Sequence, residues 1–88
     1  MINEAIAKFI EGGHLAKNAV KIEFKKRNTL TGLFIKMADF DELKAKNFWR
    51  IVTQANLEQW HKTNDINAAR IFNGSEFTRL SVLKKKVV

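Results

Sequence analysis

Along the first ten residues the apolar positions Ile2, Ala5, Ile6, Phe9 and Ile10 recur at the i, i+3, i+4, i+7, i+8 spacing that places one stripe on a helix. Asn3 is the expected cap, and Gly12-Gly13 supply the backbone freedom that ends the helix, so residues 1–13 form the first element. A helix of about three turns is unstable alone, and its stripe must dock on a partner surface, in the first instance the rest of this chain.

After Gly13 the period changes to two. Val20, Ile22 and Phe24 alternate with Lys21, Glu23 and Lys25, which predicts a half-buried strand. Polar Asn28 to Gly32 precedes a second run with Leu33, Ile35 and Met37 on one face and Phe34 and Lys36 on the other, so residues 19–38 are expected to form a hairpin. Residues 39–46 are a charged connection with a helical turn begun by Asp39 or Asp41. The third strand, 47–54, carries aromatic and β-branched residues on both sides, the pattern of a strand covered on both faces. Segment 55–67 lacks alternation; Leu57 and Trp60 at i, i+3 after Asn56 suit one or two helical turns and then a polar loop. Residues 69–73 and 76–83 complete the strands, with Asn73-Gly74 between them as a two-residue hairpin corner. The expected fold is mainly β with an N-terminal α-helix. Five short strands bury their inner faces best as a strongly bent sheet, a small barrel.

Eighty-eight residues allow one domain, 1–88, divided into the helix (1–13), the barrel (19–83) and a basic tail (84–88). Hydrophobic residues make up 45% of the chain, enough bulk to fold. The absence of cysteine removes disulfides and thiolate metal sites and agrees with a reducing, cytoplasmic setting. No apolar stretch approaches the roughly 20 residues of a membrane span, and Glu4, Lys8 and Glu11 interrupt the first segment as no signal-peptide core tolerates. Sixteen Lys and Arg against nine Asp and Glu leave a formal +7, which favours an acidic partner such as nucleic acid. The same charge also serves a merely solubilising surface.

Catalysis has no support in the motifs. Ser75 and Ser81 lack a nucleophile-elbow context, and the four glycines form neither a Walker loop nor a GxGxxG fingerprint. Asp39, Asp41 and Glu42 cluster, but Lys44 and Lys46 stand beside them and no EF-hand spacing is present, so a solvated loop is expected rather than a metal site. His14 and His61 are isolated. No cofactor or metal is expected.

The stretches VKIEFKKRNTLTGLFIKMADFD and IFNGSEFTRLSVL, within this helix-then-strands order, resemble the two motifs of the Sm-like family of small SH3-like barrels. The resemblance implies a non-enzymatic barrel that assembles in rings and binds single-stranded RNA where the loops after the second and fourth strands meet. It places Asp39, Phe40 and Asn47 on the first loop, and Asn73 and Gly74 on the second. Physically, an aromatic such as Phe40 can stack on an unpaired base and an asparagine amide can read a base edge. Arg50 and Arg79 add phosphate contacts around the third strand and the last turn. The expected nucleic-acid-binding set is therefore Phe40, Asn47, Arg50, Asn73, Gly74 and Arg79. The alternative is a protein-interaction or homo-oligomeric assembly module, in which exposed aromatics meet another chain and the charge only keeps the protein soluble.

Overall fold

The computed structural model describes residues 1–12 and 19–82 of the chain. The order of elements is helix α1 (Asn3–Glu11), strands β1 (Val20–Phe24) and β2 (Leu30–Phe34), helix α2 (Phe40–Ala45), strand β3 (Phe48–Thr53), helix α3 (Leu57–Thr63), and strands β4 (Ala69–Asn73) and β5 (Phe77–Val82). Short 3₁₀ turns at 54–56, 66–68 and 74–76 link the last elements. The expected basic tail, residues 84–88, lies outside the described residues, as does His14.

The five strands form one antiparallel sheet in the order β4-β3-β2-β1-β5. Thus β4 and β5 are not a hairpin: they are opposite edges of the sheet, and no ladder joins them. Five flat strands at about 4.8 Å spacing would hold those edges roughly 19 Å apart. Residues 74–76 alone connect them, a link that reaches no more than about 14 Å from Asn73 to Phe77. The sheet must therefore curl. Two contacts confirm it: the rings of Phe24 on β1 and Phe72 on β4 lie 6.0 Å apart, and the Lys25 N–H donates to the Glu76 carbonyl at 2.9 Å. A register shift between Glu23 and Phe24 marks a bulge in the β1–β5 pair, which adds local twist. Closure by strand pairing is not reached.

Alternation settles which side chains line the hollow face. Val20, Ile22, Phe34, Trp49, Ile51, Phe77 and Leu80 are all buried in one cluster there, together with Phe40 from α2. Into this cluster α1 inserts Ile6, Ala7 and Ile10, with both isoleucines fully buried. Burial of two such side chains stabilises the docked helix by about 3–6 kcal/mol before ordering costs, which explains why so short a helix persists. Its cap differs from expectation. Ile2 occupies that position without a side-chain bond, and the Asn3 amide instead donates to the Lys44 carbonyl at 3.0 Å, tying α1 to α2.

The opposite face carries Leu33, Ile35 and Val52, covered by Leu57 and Trp60 of α3. Both sides of β2 and β3 are thus buried, the physical reason for apolar residues on both faces of residues 47–54. Between these strands Gly32 permits close approach: a Cβ there would stand 2.9 Å from the Val52 carbonyl. Among the described residues, no helix is long and apolar enough to cross a membrane.

Candidate functional site

Two regions hold the residues of interest. In the first, the connection after α2 meets the turn between β4 and β5. Asn47 ends α2 with φ of 61°, a left-handed conformation that asparagine tolerates better than most residues. Its backbone carbonyl accepts from the Gly74 N–H at 2.7 Å. Its side-chain amide donates to the Met1 carbonyl at 3.0 Å and accepts from the Trp49 indole N–H at 2.8 Å. The Met1 ammonium donates to the carbonyls of Gly74 and Phe77 at 3.1 and 2.7 Å. A polar knot therefore fastens the first residue, α2 and the β4–β5 turn to one another.

Gly74 sits inside this knot, buried, and not in the left-handed region expected of a hairpin corner. What it requires is space. A Cβ would lie 2.6 Å from Ile6 Cδ1 and 2.7 Å from Trp49 Nε1, and closer still to Asn47 Oδ1. Asn73 turns its carboxamide oxygen inward along the chain, accepting from the Ser75 N–H at 3.0 Å and the Ser75 hydroxyl at 2.8 Å. The Asn73-Gly74 pair thus starts a 3₁₀ turn.

The remaining expected residues are spread out. Phe40 is buried at 7% exposure, its ring 6.0 Å from Trp49, with the Lys36 ammonium over it at 5.6 Å. Arg50 is ion-paired with Asp39 and mostly covered. Arg79 is exposed on β5, 4.0 Å from Glu23. The structure brings Asn47 and Gly74 together with Asn73 beside them; Phe40 reaches that group only through Trp49.

The second region is an open cleft of about 440 Å³ lined by Arg27, Leu30, Thr53, Asn56, Arg70 and Phe72, among others. None of the six expected residues lines it. Register places Arg70 and Phe72 on the same side of the sheet as Trp49 and Ile51, so the cleft opens from the hollow face. The Arg27 guanidinium lies 5.1 Å from the centre of the Phe24 ring and 5.6 Å from that of Phe72, a double cation–π contact. From there edge-to-face aromatic contacts run inward, Phe24 to Phe77, Phe77 to Phe34 and Phe34 to Trp49. Asn56 donates to the Thr53 hydroxyl at 3.4 Å on the cleft wall. Among the described residues neither Arg27 nor Arg70 has a carboxylate within ion-pairing distance, and no lining residue is acidic. Arginine guanidinium groups without a counter-charge, next to an aromatic ring and an amide, make a surface suited to an anionic, planar ligand.

No family model, curated protein or solved structure matches this chain. Arg27 and Arg70 stand 43 positions apart in the chain and meet through the curl of the sheet, a relation that no spacing rule encodes.

Proposed function

We propose that this protein is a non-enzymatic binder of single-stranded nucleic acid, built on a curled sheet akin to the small Sm-like and SH3-like barrels. The observation that carries the reading is a cleft with no acidic lining residue, two arginines that have no ion pair among the described residues, and a partly exposed phenylalanine. Lys25 and Lys26 adjoin it on the exposed β1–β2 turn, and the chain as a whole carries +7. Phosphates supply affinity for such a surface, while rings and guanidinium planes favour unpaired bases over a duplex, whose bases are already stacked.

The test is a salt titration with a labelled single-stranded oligonucleotide. Log K is expected to fall linearly with log salt, with a slope near −0.7 for each phosphate neutralised. A flat response, or no binding at low salt, overturns the reading.

A second reading has its own support. Ile71 on β4, an edge strand of the sheet, is 51% exposed and Ile66 just before that strand 44%, an apolar margin suited to another chain. An assembly module of this kind would sediment as an oligomer without nucleic acid and would show no salt-dependent oligonucleotide binding.

A further inference from the structure

The cleft also has the dimensions and donor set for one particular unit of such a strand. Its volume of about 440 Å³ falls in the lower part of the roughly 300–1,000 Å³ typical of small-molecule pockets, room for one nucleotide. Arg27 is exposed, yet Phe24 and Phe72 hold its guanidinium by cation–π contact, so a flat cationic plate stands at the mouth before any ligand arrives. Guanidinium planes stack on bases as aromatic rings do. Arg70 points from the same face with no carboxylate partner among the described residues, and its fork of N–H groups matches two phosphate oxygens. Asn56, whose amide lies 3.4 Å from the Thr53 hydroxyl, can both donate to and accept from a base edge.

We propose that the cleft seats one unpaired nucleotide, its base stacked on the Arg27 plate, its phosphate held by Arg70 and its base edge facing Asn56. This rests on the single-strand reading above and adds the position and size of the bound unit. Flanking phosphates of the strand fall to Lys25 and Lys26, which carry charge without a plane. Arg27 therefore acts through shape and Arg70 through charge, and the two are separable by substitution.

The experiment titrates adenosine 5′-monophosphate, adenosine and inorganic phosphate, and in parallel a single-stranded 12-mer, into the intact chain and into Arg27→Lys and Arg70→Gln, followed by heteronuclear NMR. Both side chains are exposed, so both variants are expected to melt with the parent, which is checked first. The monophosphate is expected to shift the amides of residues 27, 56, 70 and 72, and to bind better than adenosine or phosphate alone. Arg27→Lys, which keeps the charge, is expected to weaken monophosphate and 12-mer by about 5- to 20-fold and leave the salt slope unchanged. Arg70→Gln is expected to bring the monophosphate down to the level of adenosine and to reduce the salt slope of the 12-mer by about one phosphate. A 12-mer that binds the parent and both variants equally overturns the cleft assignment while the single-strand reading stands. Monophosphate binding with no 12-mer binding supports the cleft as a nucleotide site and overturns the reading of the protein as a strand binder. Failure of both ligands overturns the two together.

Discussion

One added methyl at Gly74 has nowhere to go, because Asn47, Ile6 and Trp49 already occupy the space a Cβ would fill. Ile6 and Trp49 are fully buried, so relief requires shifting the core. Gly74→Ala is expected to cost about 3 kcal/mol, the upper part of the overpacking range, and to lower Tm by on the order of 10–20 °C in thermal unfolding followed by circular dichroism. Asn47 allows a finer separation. Asn47→Gly removes both side-chain hydrogen bonds but takes up the left-handed backbone without steric strain, whereas Asn47→Ala removes the same bonds and adds strain at φ 61°. The alanine variant is therefore expected to be less stable than the glycine variant by about 1 kcal/mol, read as the difference in urea midpoint times a common m-value. This region was half legible. Asn-Gly announces a change of direction, and it is one; but a dipeptide does not encode which strands flank it in space. Here the two strands it joins sit at opposite edges, and the glycine is needed for close packing rather than for backbone conformation.

At the scale of elements, legibility followed how strongly a segment's own side chains declare its period. Residues 69–73 were readable as a strand to the residue, being bounded by polar runs. Helix α3 was readable only as a pair of apolar positions, since it buries Leu57 and Trp60 from one short face and takes its order from docking on Leu33, Ile35 and Val52. Helix α2 shows a different limit: Asp39 occupies the capping position, as expected, but its carboxylate turns away from the helix to Arg50 on β3. That hydrogen bond, the largest influence, holds the Asp39 carboxyl below its ordinary value against an opposing effect of desolvation. Because the folded-state pKa is the lower one, the pair's contribution is present above the unfolded value near 3.9 and is lost as pH falls through the folded value. Asp39→Asn is therefore expected to melt below the parent at pH 6, with the gap narrowing as the pH drops below about 4. A gap that stays constant to pH 2 would show that the α2–β3 tie does not depend on ionised Asp39.

For the whole molecule, the curl was legible as a requirement for burial, while the cleft it creates was not, because Arg27 and Arg70 meet only after β1 and β4 are drawn toward each other. The same curl leaves two edges that pair with no other strand among the described residues, one of them bearing exposed Ile71, on a body with net charge +7. These features respond to salt in opposite directions. Like-charge repulsion between copies is screened as the Debye length falls from about 10 Å at 0.1 M to 3 Å at 1 M, so edge-to-edge association, driven by backbone hydrogen bonds and apolar contact, strengthens. Attraction to phosphates weakens over the same range. Sedimentation velocity from 0.05 to 0.5 M salt is expected to show growing self-association while oligonucleotide affinity declines. Ile71→Lys places a charge on the β4 margin without touching the cleft lining, so it is expected to hold the protein monomeric throughout and leave oligonucleotide binding within about twofold of the parent. Loss of oligonucleotide binding in that variant would mean that the strand is held between copies, across the β4 edge, and not within one.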